Sequence, residues 1–300
     1  WFVNWILEAL KLFSGVPTIS PDKLFQSIEL LTVFLLFVAV RHYVSVVLGN
    51  YILGFISSFL VFHALLFSYV MPRAVPLWYV HWFPFDIPAV LFVTAGLFLI
   101  HQEKWVPYYF LFLVATLNRE TSFFLTLIYL LTNLGKGKAK QLGLHCLAQF
   151  LIWATVKYVL FTMYINNPVG DSGQDPAYAA WHIGLYDPND LGVNLRTLTI
   201  ISEYPFIFSI VGYLWLPAAL LVRMIHNDFV KRTMVVIVPW CASILYVGTL
   251  TQLRIFGELI PIVVVAFVSK PRVLKPPVSL VGLPDVLAPA SETERLESHR

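Results

Sequence analysis

The stretch Leu117-Asn118-Arg119-Glu120-Thr121-Ser122 governs the interpretation of the whole chain, because it places an Arg–Glu pair between two apolar runs. These runs extend from Trp105 to Thr116 and from Phe123 to Thr132. A charged side chain at the centre of a lipid bilayer costs about 3 kcal/mol even on the most lenient scale. The polar stretch is therefore expected either at a membrane face or beside a polar cavity, and both settings make it the first candidate for a functional site.

The composition of the 300-residue chain is typical of a polytopic α-helical membrane protein. Hydrophobic residues make up 58% of it and charged residues only 12%, whereas a soluble domain carries about 25% charged residues. The mean hydropathy is +0.76. The formal net charge of +3 is too small to indicate nucleic-acid binding. Cys146 and Cys241 both lie inside apolar runs, which argues against a disulfide framework.

About nine apolar segments follow one another along the chain and predict an all-α transmembrane bundle. A helix perpendicular to the membrane needs ~20 residues to cross it, so the fourth and fifth segments are short. We expect them to form two short helices, or one broken hairpin, around the polar stretch. The segments are 24–47, 51–70, 87–100, 105–117, 121–131, 142–164, 204–221, 234–250 and 255–268.

The chain divides into three regions. Residues 1–24 contain an amphipathic stretch that predicts an external helix in the membrane interface, or alternatively a cytosolic packing helix, followed by a linker. Residues 25–269 form the transmembrane bundle, with a long external loop at 165–203. Residues 270–300 are Pro-rich and then polar, which is typical of a disordered cytoplasmic tail.

The orientation follows from the basic residues, which favour the cytoplasmic side of a membrane. They cluster after the fifth, seventh and ninth segments, at Lys136, Lys138, Lys140, Arg223, Lys231, Arg232, Lys270, Arg272 and Lys275. A cytoplasmic position for these clusters leaves the loops 71–86, 118–121, 165–203 and 251–254 outside. The amphipathic N-terminal helix is then external too, so we expect a spanning helix upstream of Trp1.

Six polar residues gather on this external face and form the candidate binding site: Arg119, Glu120, Arg254, Glu258, His81 and Asp86. Arg254 and Glu258 have the i, i+4 spacing that places two side chains on one helix face. A guanidinium group binds phosphate bidentately, and the aromatic residues around His81 can stack on a sugar or support an isoprenoid chain. The pattern therefore favours an anionic, lipid-linked substrate.

Each of these features also has a purely structural explanation. Arg119 and Glu120 can pair with Glu258 and Arg254 as an interhelical ionic brace. His81 and Asp86 can serve as interfacial anchors, and the acidic residues of the 165–203 loop can be a solvated surface or a lid. No cluster of His, Cys and Asp has metal-ligand spacing, and no Gly-rich phosphate loop is present, so the sequence predicts neither a metal centre nor a nucleotide site.

Three short motifs resemble those of the GT-C-type integral-membrane glycosyltransferases and of related bacterial membrane proteins without assigned activity. They are Phe85-Asp86-Ile87-Pro88, the stretch from Leu117 to Ser122, and Leu253-Arg254-Ile255-Phe256-Gly257-Glu258-Leu259-Ile260-Pro261. The resemblance covers residues 20–270. It implies a polyprenyl-phosphate-linked sugar donor and an active site on the external face, in a multi-pass protein of the bacterial inner membrane. The cytoplasmic C-terminus is expected from the basic residues.

The resemblance also implies roles for the six residues. Arg119 and Arg254 would contact the donor phosphate, Glu120 and Glu258 would orient them, and Asp86 and His81 would line the acceptor side. The family's catalytic acid lies in the first external loop, which here would precede Trp1, and Glu8 and Asp22 do not match its setting. The catalytic residue is therefore unassigned. No cofactor is implied with certainty, and a divalent cation is left open.

The function expected from the sequence is transfer of a sugar from a polyprenyl-phosphate donor to an external acceptor. The main alternative is a non-catalytic structural subunit of a larger membrane complex, and a weaker one is a lipid or solute transporter. The expected partners are membrane lipids, the lipid-linked sugar and other membrane-protein subunits, without nucleic acid.

Overall fold

A computed structural model describes residues 21–70, 86–136, 139–164, 188–247, 250 and 253–269, which form an all-α structure without strands. The predicted interfacial helix, the loop that carries His81, most of the loop 165–203 and the polar tail lie outside these residues. The described α-helices are α1 (Pro21–Leu48), α2 (Tyr51–Leu65), α3 (Asp86–His101), α4 (Trp105–Asn118), α5 (Phe123–Asn133), α6 (Ala139–Tyr164), α7 (Pro188–Thr197), α8 (Tyr204–Ser209), α9 (Trp215–Leu221), α10 (Asp228–Met234), α11 (Ile237–Val247) and α12 (Ile260–Val268). Between them lie a π-helical turn at Leu66–Val70 and 3-10 turns at Glu120–Ser122, Ile201–Glu203, Ile210–Tyr213, Val222–Met224 and Leu253–Leu259.

Several of these helices have the length and composition of membrane spans. In the described part of the chain four qualify, Gln26–Leu48, Tyr51–Tyr69, Ala139–Met163 and Asp228–Tyr246, and a bent pair between 201 and 224 makes up to five. Helices α3 and α4 are apolar but have only 16 and 14 residues, which at 1.5 Å per residue is less than the ~30 Å of a hydrocarbon core. The structure thus agrees with a membrane protein, and the count of nine segments stays a prediction.

Helices α1 and α2 form a tight antiparallel hairpin. Gly49 turns the chain with a φ of +62°, and the side chain of Asn50 then caps α2 by accepting a hydrogen bond from the Leu53 amide at 3.1 Å. Gly54 lets the two helices approach closely, because a Cβ atom at this position would lie 2.0 Å from Oγ of Ser45. Small residues are what allow helix backbones to approach in membrane bundles.

Helix α12 lies at the centre of the bundle. Its residues from Ile260 to Ala266 are all buried, and it contacts α2, α3, α9 and α10. A helix that is apolar on all sides belongs in a core. The 3-10 turn Leu253–Leu259 leads directly into α12, so the burial of α12 also fixes Arg254 and Glu258 at the end of the core.

Helices α4 and α5 are separated by a break at the polar stretch, as the sequence predicts. The amide of Arg119 donates to the Ala115 carbonyl at 2.9 Å, and the backbone of Arg119 then becomes extended, with φ −156° and ψ 143°. A 3-10 turn from Glu120 to Ser122 leads into α5. The chain therefore has two short helices here, both packed against α6. The break places Arg119 next to the first residue of α3, Asp86.

The apolar segment 204–221 is long enough for one spanning helix, but the structure divides it into two helices. Val211, Gly212 and Tyr213 have φ angles of +52°, +61° and +65°. Left-handed backbone is uncommon in residues other than glycine and is strained for a β-branched valine. The turn bends the two flanking helices by 70°, and the Gly212 carbonyl lies 3.3 Å from Nε2 of His63.

The end of the predicted 165–203 loop folds back as helix α7. The side chain of Asn194 is buried and donates to the Leu245 carbonyl at 3.1 Å. Its oxygen accepts from the Leu250 amide at 2.8 Å. This part of the segment is thus a helix packed on α11, rather than solvated loop.

Candidate functional site

Asp86, Arg119, Arg254 and Glu258 meet at one end of the bundle, and we refer to them as the charged cluster. Asp86 is the first residue of α3, Arg119 lies in the break before α5, and the other two lie in the turn before α12. Ion pairs bring these four of the six predicted residues together. Their role in binding stays a prediction.

Arg119 is the centre of the charged cluster. Its Nη1 lies 3.0 Å from Oδ1 of Asp86 and 3.2 Å from Oε1 of Glu258. Arg254 approaches the same aspartate from the other side, with its Nη1 3.7 Å from Oδ2. Thr121 adds a hydroxyl that donates to Oε1 of Glu258 at 2.7 Å. Three separate segments are therefore tied together through two carboxylates.

The charged cluster is buried on one side and opens on the other. The side chains of Glu258 and Asp86 are 1% and 3% exposed, whereas those of Arg119 and Arg254 are 15% and 28% exposed. Two guanidinium groups balance two carboxylates, which compensates for the cost of burying charge. Arg254, the most exposed of the four, is the group best placed to meet a ligand from outside.

Glu120, the fifth predicted residue, is turned towards α6. Its Oε2 lies 3.2 Å from Nζ of Lys157, and its carbonyl accepts from Nε1 of Trp153 at 3.1 Å. Burial is the largest single influence and raises the pKa of Glu120, but the charge and hydrogen bond of Lys157, a backbone hydrogen bond and the charge of Arg119 together hold this pKa below its ordinary value. The residue thus fastens α6 to the break. His81, the sixth predicted residue, lies outside the described residues.

Tyr69 and Glu29 belong to the surroundings of the charged cluster and were missed in the sequence. The hydroxyl of Tyr69 donates to the Arg254 carbonyl at 3.4 Å. Glu29 of α1 is buried and lies within electrostatic range of Asp86. A signal existed for Glu29, since an ionisable residue inside an apolar span is by default a functional candidate. For Tyr69 no comparable signal existed.

A small recess opens beside Arg119 and Glu258. Its empty space of ≈ 180 Å³ includes the open solvent at its mouth, and the enclosed part has room for about one water-sized group. It therefore suits one polar group rather than a whole sugar. In the part of the chain that the structure describes, no group of three or more His, Cys, Asp and Glu side chains is arranged to hold a metal ion. The recess is lined by Ala89, Phe92, Val93, Ala115, Arg119, Thr121, Ser122, Leu125 and Glu258.

Comparisons with protein-family models, curated proteins and solved structures found no match. The fold class and the geometry of the charged cluster are therefore the observations from which a function is inferred. They combine a membrane-type helical bundle, two guanidinium groups held by carboxylates, and a recess of the size of one polar group.

Proposed function

We propose that the chain is a multi-pass membrane glycosyltransferase-like protein that uses a polyprenyl-phosphate-linked sugar as donor. The observation that carries the proposal is the charged cluster, in which Arg119 and Arg254, from separate segments, flank the carboxylate of Asp86. Guanidinium groups are the side chains best suited to bidentate phosphate contacts. Carboxylates that hold them in place preorganise the site before the ligand arrives.

The proposal includes a GT-C-like arrangement of about nine apolar segments in a bacterial inner membrane. The charged cluster would face outwards and the C-terminus would lie in the cytoplasm. This orientation is supported by basic residues at the opposite end of the bundle, where Arg232 donates to the carbonyls of Leu131 and Leu134 at the end of α5. Basic residues of this kind favour the cytoplasmic side.

The two arginines would have different roles at the donor phosphate. Arg119 is held by two carboxylates and would act as a fixed positive charge at the base of the site. Arg254 is more exposed, and the five N–H donors of a guanidinium allow it to contact Asp86 and a phosphate together. The acceptor oxygen would displace the polyprenyl phosphate from the sugar, and a carboxylate base would take the acceptor's proton. Arg119 and Arg254 would stabilise the charge of the departing phosphate.

One observation favours a second candidate function, a non-catalytic subunit of a larger membrane complex. Both carboxylates of the charged cluster are already matched by a guanidinium within the protein. Such an arrangement also acts as an interhelical ionic brace, which joins α3, the α4–α5 break and the turn before α12. A protein with this brace needs no ligand to balance its buried charges.

The two functions differ in what the purified protein carries. The full-length protein would be purified in a mild detergent and its bound lipids identified by mass spectrometry, alongside Arg254→Gln and the matched control Arg223→Gln. Arg223 is exposed and lies in a different turn, Val222–Met224. We expect a polyprenyl phosphate in wild type and in the control, and its loss in Arg254→Gln. Ordinary phospholipid alone in all three, with a stoichiometric membrane-protein partner, would contradict the donor site and support the subunit.

A further inference from the structure

Three segments that depart from α-helical geometry pack against one another beside the charged cluster. They are the π-helical turn Leu66–Val70, the left-handed turn Ile210–Tyr213 and the 3-10 turn Leu253–Leu259. Backbone that leaves the α-helix inside a membrane bundle is tolerated only where protein or a polar cavity satisfies it. π-Helical turns are rare and occur frequently at functional sites. The π-helical turn directly continues α2 and contacts both of the other two segments.

Tyr69 joins the π-helical turn to the segment that carries the cluster's charges. Its hydroxyl donates to the Arg254 carbonyl, and its ring lies over the backbone of Gly257. A Cβ atom at position 257 would lie 1.9 Å from the Tyr69 hydroxyl oxygen and 2.8 Å from Cζ of its ring. The ring is buried. Gly257 is therefore needed for the ring to reach this place, and the ring in turn limits where the 3-10 turn can lie.

The same π-helical turn is itself fixed from the opposite side. The ring of Phe67 lies 5.5 Å from that of Tyr213 and 4.8 Å from that of His63, measured between ring centroids. His63 also contacts the carbonyl of Gly212. Tyr69 thus lies in a turn whose other side packs against the left-handed turn Ile210–Tyr213.

The position of the 3-10 turn decides the geometry of the charged cluster. Arg254 precedes Gly257 by three residues and Glu258 follows it directly, so a shift of the backbone at Gly257 moves both side chains. The affected distances are 3.7 Å from Arg254 to Asp86 and 3.2 Å from Arg119 to Glu258. Sub-ångström placement matters for a site of this kind, because binding groups act only when held close to the productive geometry.

We propose that Tyr69 is a positioning residue that sets Arg254 and Glu258 through its contact with Gly257. The identity of the ligand rests on the proposed function, since the group that Arg254 would bind is the phosphate of a polyprenyl donor. The placement of Arg254 by Tyr69 is independent of that ligand and is measured separately.

The test uses the full-length protein in detergent and two variants, Tyr69→Phe and Gly257→Ala. The first readout is the rate at which phenylglyoxal modifies Arg254, followed by peptide mass spectrometry. The second is retention of polyprenyl phosphate. Loss of one hydroxyl contact in Tyr69→Phe is expected to raise the Arg254 rate about two- to five-fold. Gly257→Ala is expected to raise it further, and both variants retain less polyprenyl phosphate.

Matched controls separate positioning from a general loss of structure. Tyr43→Phe removes the hydroxyl of another buried tyrosine, on α1, and Gly143→Ala adds a methyl group on α6 where nothing lies within 4 Å. Both are expected to leave the Arg254 rate unchanged. Arg232 in the same samples serves as an internal reference, because it is half-buried and donates to the carbonyls of Leu131 and Leu134, so that partial unfolding raises its rate together with that of Arg254.

Each outcome decides one question. An Arg254 rate in Tyr69→Phe equal to that in Tyr43→Phe, or a rise matched by Arg232, overturns the positioning role. If Gly257→Ala does not fold, Tyr69→Phe alone decides. A selective rise at Arg254 with no polyprenyl phosphate in any protein, wild type included, supports the positioning role and contradicts the proposed function.

Discussion

Removal of Arg119 is expected to destabilise the protein far more than removal of a surface charge. Its guanidinium lies 3.0 Å and 3.2 Å from the carboxylates of Asp86 and Glu258, whose side chains are 3% and 1% exposed. Loss of one partner from a buried ion pair costs about 3–5 kcal/mol, because the other charge stays buried without compensation. At about 2–4 °C per kcal/mol for a large domain, we expect Arg119→Ala to lower the melting temperature by about 6–20 °C.

The matched control is Glu120→Ala, which removes a charge from the adjacent position. The carboxylate of Glu120 is 49% exposed and pairs with Lys157, and exposed pairs contribute about 0–1 kcal/mol. Thermal unfolding in detergent, followed by tryptophan fluorescence and circular dichroism, compares the two variants. Equal shifts in Arg119→Ala and Glu120→Ala would refute the buried-cluster argument.

A double variant sharpens this prediction. Arg119→Ala leaves the buried Glu258 without a guanidinium partner, whereas Asp86 keeps Arg254 at 3.7 Å, so addition of Glu258→Gln removes the uncompensated acid. Residues within one ion-pair network show interaction energies of about 0.5–3 kcal/mol in such cycles. The double variant should therefore be less destabilised than the sum of the two single variants. Strict additivity would show that the two side chains do not interact.

Three further predictions concern the rest of the bundle. Gly54→Ala places a Cβ 2.0 Å from Oγ of Ser45, and is expected to lower stability by about 1–3 kcal/mol, whereas Gly143→Ala leaves the melting temperature unchanged or raises it. Asn194→Ala removes the hydrogen bonds that hold α7 on α11. We expect the free energy of unfolding to fall by about 1–3 kcal/mol, measured by thermal melting, and limited proteolysis within 188–203 to become faster. Because the pKa of folded Glu120 is lowered, its ion pair with Lys157 stabilises the protein above the ordinary glutamate pKa and is lost as the pH falls through the folded value. Stability should therefore fall slightly less towards acid pH in Glu120→Gln than in wild type, and a parallel pH profile would contradict this.

The part of the structure that follows from local sequence was predicted. Apolar runs became helices, and the break at the polar stretch appears at Arg119, where the extended backbone ends α4. For Arg119 and Glu258 the sequence offered an ionic brace as one alternative, and the structure places Nη1 of Arg119 3.2 Å from Oε1 of Glu258. Burial of one charge next to the opposite charge then fixes the pairing.

The rest depends on contacts that no local pattern encodes. The left-handed turn at Val211 contradicts the preference of a β-branched residue, and its Gly212 carbonyl lies within reach of His63, 149 residues earlier. Helix α7 has few apolar residues and is held on the bundle by the amide of Asn194. Tyr69 is one of 14 tyrosines. It is distinguished by its contact with Gly257, where the Cβ of any other residue would lie 1.9 Å from the Tyr69 hydroxyl oxygen.

The distribution of burial within the charged cluster bears on why a membrane bundle keeps it. Buried ion pairs rarely add stability over well-packed apolar side chains of similar volume, and α12 shows that this chain can build a fully apolar core. A brace alone would gain nothing from an open side. Here the exposed fraction rises from 1% at Glu258 to 28% at Arg254, which leaves one guanidinium partly accessible and anchors it through Asp86 to the buried pair. An arrangement fixed at one end and accessible at the other favours binding of an anionic group over bracing alone, and the effect of Arg254→Gln on bound lipid distinguishes the two.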